Sequence, residues 1–172
     1  MSGAPPTRLI VCVDGESNTG AGKNKPSLTN IQRLHASISR GNCKSSSNGT
    51  TFNQVVQYFP GLGSADDAFS KDRLLGGSVY SKQIQEVYES CSRLNGSKDE
   101  VWLFGFSRGA YVVRAVAGLL HNVGAIASAG EPEFGRDYKK LVKEADRGGS
   151  TLSLKTASTF SLALSPVSGN LP

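Results

Sequence analysis

Histidine is nearly absent from this chain: among 172 residues there are two, His35 and His121. Chemistry that needs an imidazole has only those two places to find one. Cysteine is scarce and odd in number, and Cys12, Cys43 and Cys91 lack the short paired spacing of a zinc site. No His, Cys and carboxylate grouping stands at a usable spacing, so neither a metal nor a cofactor is expected. Unpaired cysteines fit a reduced compartment. Long apolar runs are missing as well. The opening MSGAPPTRLIVCVD carries one brief apolar stretch between charges, too short for a signal-peptide core or a membrane span. The expectation from these features is a soluble, cytoplasmic protein. The formal charge of +5 is scattered, and the densest basic cluster is mixed with acids. With no interleaving of basic and aromatic residues and no zinc-finger or RNA-recognition signature, nucleic acid is not an expected partner.

What is present suits one globular domain. Residues 8–13 (RLIVCV) form an apolar, β-branched run, the pattern of a strand buried on both faces of a parallel sheet. Asp14 and Gly15 end it. Thr29 or Ser27 can cap a helix in which Ile31, Leu34 and Ile38 recur at helical spacing, stopping near Gly41. Residues 42–51 read as a polar linker, and residues 52–59 (FNQVVQYF) as a second strand closed by Pro60 and Gly61. A loop with a short helix near 66–75 follows. The clearer helix spans 79–94, where Val79, Ile84, Val87, Tyr88, Cys91 and Leu94 make one stripe suited to covering a sheet. Residues 101–104 give the third strand, and the helix after Ser107 is apolar nearly all round, which implies burial between other elements.

Strand and helix alternate three times, which argues for an α/β fold with parallel strands and right-handed crossovers. Residues 1–7 are a tail, 8–124 the domain, and 125–147 carry a charged surface helix. Residues 148–172, rich in Ser, Thr, Leu, Gly and Pro, are expected to be a disordered, low-complexity tail. Active sites in such sheets lie beyond the carboxyl ends of the strands. Asp14, the loop bearing Gly61, Gly63 and Ser64, and Ser107 would gather there.

Ser107 has the strongest chemical signal. Residues 101–119 (VWLFGFSRGAYVVRAVAGL) run from an apolar strand through Gly-x-Ser-x-Gly directly into a helix. A serine on such a nucleophile elbow raises its hydroxyl above the sheet, and Gly105 and Gly109 leave room for the turn. An ordinary Gly/Ser turn is the alternative. The backbone amide of Arg108 can supply one oxyanion donor, with Gly15 or Glu16 as candidate for the second. Asp14 and Gly15 read equally well as a simple turn. The Arg108 side chain can hold an anionic substrate group, though a structural ion pair with Asp14 is the preferred reading.

The base is harder to find. If the helix after Ser107 is continuous, a rise of about 1.5 Å per residue puts His121 roughly 20 Å away. His35 lies on the first helix beside Leu34 and Ile38, where a structural role explains it as well as a catalytic one. Glu131, Glu133, Asp137, Glu144 and Asp146 follow the elbow in what looks like solvated surface. A nucleotide-binding P-loop at residues 15–24 fails at two required positions, Ser17 for glycine and Asn24 for Ser or Thr.

Residues 9–18 (LIVCVDGESN), Thr29, Asn30 and Ile31 with Arg33 and Leu34, residues 58–64 (YFPGLGS) and residues 99–114 (DEVWLFGFSRGAYVVR) together resemble the α/β-hydrolase-like catalytic domain named for type VI secretion phospholipase effectors. The resemblance covers roughly residues 8–124. It implies a serine hydrolase of esterase or phospholipase type, Ser107 as nucleophile, an ester or phospholipid substrate, and a three-layer sandwich. Glu16 and Ser17 replace the Thr and Trp that usually follow the family's Asp-Gly. The family's later strand with its triad aspartate, and the segment with its triad histidine, have no counterpart here. The expectation is therefore a partial α/β-hydrolase-like domain, truncated after the elbow helix. The second reading is a catalytically inactive module or fragment with a binding role.

Overall fold

A computed structural model describes residues 4–15, 28–61, 79–94, 97–146 and 154–155. In chain order the elements are β1 (Thr7–Val13), α1 (Asn30–Ser37), β2 (Gly41–Lys44), β3 (Thr51–Phe59), α2 (Val79–Ser92), β4 (Glu100–Gly105), α3 (Arg108–Val123), β5 (Ala125–Ile126), α4 (Phe134–Asp146) and β6 (Leu154–Lys155). The expected α/β class is present. Four strands form one sheet in the order β2-β3-β1-β4, with β1 parallel to both its neighbours.

Alternation along β1 explains why helices cover both faces. Leu9, Val11 and Val13 point to one side and pack with Val87 and Cys91 of α2 and Val112, Val116 and Leu120 of α3. Ile10 and Cys12 point to the other, against Ile31 of α1. Each such fully buried aliphatic side chain stabilises the fold by roughly 1.5–3 kcal/mol. A strand with an unbroken apolar run, Leu9 to Val13, belongs at the centre of a sheet, and β1 is there.

Two expectations about connections change. The polar linker expected at 42–51 overlaps β2, which pairs antiparallel with β3, Asn42 opposite Asn53 and Cys43 opposite Phe52. Polarity misled because an edge strand with exposed side chains needs no apolar pattern; its backbone pairing and the turn bonded from Ser45 N–H to Thr50 O hold it. The stretch expected to be a disordered tail includes β6, paired with β5 through Ala125 opposite Lys155 and Ile126 opposite Leu154. Two residues carry no periodicity to read. The rest of that tail, and the helix expected near 66–75, lie outside the described residues.

Two helices also differ in kind from expectation. α3 is buried along one face only, with Tyr111 55% exposed and Arg114 also turned outward. α4 is not merely a charged surface helix. Phe134, Tyr138 and Leu141, at a spacing of four and then three, are buried, and the two rings lie 6.4 Å and 5.8 Å from that of Tyr88. The Tyr88 hydroxyl in turn donates to Gly124 O at 2.6 Å.

Candidate functional site

The carboxyl ends of β1, β3 and β4 lie side by side, Val13 opposite both Phe59 and Gly105. The ladder runs one step past the strands: Asp14 N–H donates to Phe59 O at 3.0 Å and Phe106 N–H to Val13 O at 3.2 Å. The chain then enters α3 in two residues. At Ser107 the backbone takes φ 53° and ψ −120°, and among the described residues no other non-glycine has a positive φ. Such a conformation costs of order 1–3 kcal/mol and persists only where the surroundings enforce it.

Those surroundings are two close backbone approaches. A Cβ at Gly105 would sit 2.5 Å from Gly109 O and 2.8 Å from Ala110 Cα. A Cβ at Gly109 would sit 2.6 Å from Asp14 O and nearer still to Val13 O. The first turn of α3 therefore rests directly on the end of β1, and the chain between β4 and α3 must fold sharply. Gly15 lines the other side, its Cβ position 3.1 Å from Ser107 Cβ.

Ser107 occupies the N-cap position of α3, yet its side chain makes no capping bond. Serine at that position ordinarily takes an extended backbone and bonds back to the helix. Here the hydroxyl is left at the exposed rim.

Asp14 lies behind this turn, 4% exposed. One carboxylate oxygen accepts from Gly15 N–H at 2.8 Å, and the other from Thr29 Oγ1 at 2.5 Å and Tyr58 OH at 2.9 Å. Thr29 is also the N-cap of α1, its hydroxyl accepting from Gln32 N–H at 3.0 Å while Gln32 Oε1 accepts from Thr29 N–H at 2.9 Å. Burial, then the bond to Asp14, pushes the Tyr58 hydroxyl above its usual range. Asp14 thus accepts from two hydroxyls and an amide, all short local donors to a buried carboxylate.

Of the other anticipated site residues, Gly61 follows Pro60 at the end of β3, where Pro60 O accepts from Gln83 Nε2 of α2 at 2.8 Å. Glu16, Gly63 and Ser64 lie outside the described residues. His121 sits in the last turn of α3, at the opposite end from Ser107. His35 Nε2 is 2.9 Å from Arg40 Nη2, and its ring centroid is 5.5 Å from that of Tyr58. Asp137 accepts from the Ser128 hydroxyl at 2.9 Å, Glu131 and Glu133 are exposed, and Glu144 and Asp146 lie on α4.

Thr29 and Tyr58 are the residues that sequence reasoning missed as partners of Asp14. Thr29 was legible only as a cap. Tyr58 stands opposite Cys12 near the end of β3, and a tyrosine there can send its hydroxyl to a neighbouring strand end. Among the described residues no group of three or more His, Cys, Asp or Glu could hold a metal ion, and no helix is long and apolar enough to cross a membrane.

A sequence model of the family described as T6SS, phospholipase effector Tle1-like, catalytic domain matches residues 7–161. An "Uncharacterized protein YEL023C" of Saccharomyces cerevisiae is 27% identical over 133 residues, which cover 69% of this chain and 18% of the yeast protein. The chain thus matches a small part of that relative's length. No solved structure matches.

Proposed function

Because the chain belongs to the Tle1-like phospholipase effector catalytic-domain family, we propose that it is built as an α/β-hydrolase-like sandwich in which Ser107 is the nucleophile for a carboxylic-ester or phospholipid substrate. The observation that carries this is the strained backbone of Ser107, φ 53°, under an exposed hydroxyl that caps nothing. Strain of that kind at a polar rim residue fits a nucleophile elbow.

In the cycle, Ser107 Oγ attacks the ester carbonyl carbon, giving up its proton to a base as the carbon–oxygen bond forms. The carbonyl oxygen becomes an oxyanion, and in this reading the Arg108 amide, at the N-terminus of α3, donates to it. The second donor comes from the segment of Gly15 and Glu16. Since the Gly15 amide is directed at the Asp14 carboxylate, Glu16 is the better candidate within it. Collapse expels the alcohol with a proton, and water then releases the acyl group. Phe106, 60% exposed, and Tyr111, one helical turn beyond Ser107, offer apolar surface suited to an acyl chain. The free thiols of Cys12, Cys43 and Cys91 suit a reducing, cytoplasmic setting.

Neither histidine addresses Ser107: His35 Nε2 faces Arg40, and His121 ends the 16-residue α3. This observation favours a second reading, a catalytically inactive α/β module that binds a ligand or partner. A serine with oxyanion donors and no base still retains about 10³–10⁴-fold catalysis over water. The deciding experiment is labelling by a fluorophosphonate probe, with and without added imidazole as a diffusible base. The hydrolase reading expects slow labelling that imidazole accelerates and Ser107→Ala abolishes. No labelling of folded protein under either condition refutes it, whereas ester turnover above that of Ser107→Ala refutes the inactive-module reading.

A further inference from the structure

We infer that Asp14, held by Thr29 and Tyr58, is a positioning residue that fixes the Ser107 turn. The inference rests on the reading of Ser107 as a nucleophile.

The hydrogen bonds around Asp14 leave no freedom in their direction. Thr29 Oγ1 accepts from Gln32 N–H, so its single proton goes to Asp14. Tyr58 OH accepts from Gln32 Nε2 at 3.2 Å, so its proton goes to Asp14 too. With the Gly15 amide as third donor, the carboxylate only accepts. An asparagine would turn an N–H₂ toward at least one of these donors, which makes the group specific for Asp.

The donors come from three segments: the loop after β1, the start of α1 and the end of β3. Together they fasten the backbone of Asp14, the surface on which Gly109 rests. They also orient Gly15, whose α-carbon faces Phe106 and Ser107. A shift of Asp14 would move both the support beneath the Ser107 turn and the segment beside it. Buried networks of this type rigidify when every member is satisfied. The bonds of these side chains run to one another, to Gln32 and to the Gly15 amide, so they act on the serine through the backbone.

The test compares labelling kinetics of the wild type with Asp14→Asn, Tyr58→Phe, Thr29→Val, Thr29→Ser and Gln32→Ala, all below their melting temperatures. Thr29→Ser keeps the donor hydroxyl, and Gln32→Ala breaks the capping box while leaving both hydroxyl donors to Asp14. Displacing a reacting group by about 1 Å costs on the order of a hundredfold, so Asp14→Asn, Tyr58→Phe and Thr29→Val should lower the maximal labelling rate about ten- to a hundredfold. The probe concentration for half-maximal rate should stay unchanged, and Thr29→Ser and Gln32→Ala should remain close to the wild type. A purely structural role would lower melting temperatures, including that of Gln32→Ala, and leave maximal rates alone.

Amide hydrogen exchange at Phe106, whose N–H is bonded to Val13 O, is read in the same set. It should quicken in Asp14→Asn and Tyr58→Phe. Absence of labelling in the wild type refutes the nucleophile reading, and exchange at Phe106 then decides the positioning claim alone. Wild-type labelling with equal maximal rates in all variants, or unchanged Phe106 exchange in Asp14→Asn and Tyr58→Phe, overturns the inference.

Discussion

Replacing the two glycines of α3 by alanine should move stability in opposite directions. Gly109 and Gly118 sit in one helix, where alanine is intrinsically favoured by about 0.5–1 kcal/mol. At Gly118 a Cβ would meet nothing within 4 Å. Gly118→Ala should therefore realise that gain. At Gly109 the added atom would lie 2.6 Å from Asp14 O, against the 3.4 Å of ordinary contact, and closer still to Val13 O. The obstacles are backbone at the last residue of β1 and the one after it, and β1 has parallel partners on both sides. The helix must lift from the strand, and overpacking of this kind costs about 1–3 kcal/mol. Overpacking wins, for a net loss of about 1–2 kcal/mol in Gly109→Ala once the propensity gain is offset. At roughly 2–4 °C per kcal/mol for a chain of this size, the melting temperature should fall by about 2–8 °C in Gly109→Ala and rise by about 1–4 °C in Gly118→Ala. Urea unfolding followed by circular dichroism should show shifted midpoints with unchanged slopes. Their effects should add in the double variant, since nine helical residues separate the sites by about 13 Å. Equal stability of Gly109→Ala and the wild type would refute the close approach of α3 to β1.

Three further outcomes follow from the same geometry. Ser107→Gly should raise stability by about 1 kcal/mol, because glycine adopts φ 53° without penalty, while abolishing labelling; a destabilised Ser107→Gly would contradict the strain. Cys12 and Cys91 are fully buried, with thiols pushed up to about 11 and about 12 from 9.0, so at pH 8 Ellman's reagent should titrate Cys43 quickly and the other two only on unfolding. Three fast equivalents would contradict that packing. Finally, since burial raises these folded-state values above those of the unfolded chain, stability conferred by the neutral thiols is complete below pH 9. It is lost as pH rises from 9 to about 11 for Cys12 and to about 12 for Cys91, with Tyr88, raised from 10.0 to about 12, adding to the fall above pH 10. A stability profile flat between pH 9 and 11 would count against it.

Features carried by periodicity were legible in the sequence, and features carried by backbone pairing or by donors from distant segments were not. RLIVCV could be placed as a two-sided buried strand because no polar residue interrupts it. The stripe from Ile84 to Leu94 marked α2, and the Gly-Phe-Ser-Arg-Gly run marked the β4 to α3 turn. β2 and β6 were invisible, since GNCK and the pair Leu154 and Lys155 are held by ladder bonds that any residue can make. The Asp14 cluster was out of reach for a different reason. Thr29 and Tyr58 come 15 and 44 residues after Asp14, and only their docking shows that one carboxylate unites them.

The central place of β1 also has a consequence for how the chain is made. Its two parallel partners come from far along the sequence, with Arg8 opposite Gln54 on one side and Glu100 on the other. At about 5–20 residues per second, β1 leaves the ribosome some 5–20 s before β4 can close its second side. Throughout that interval a strand with five consecutive apolar residues, Leu9 to Val13, presents an open edge to other nascent chains. Yield in the cell should then respond to translation rate and to chaperones that mask extended apolar segments, even for variants whose final stability is unchanged.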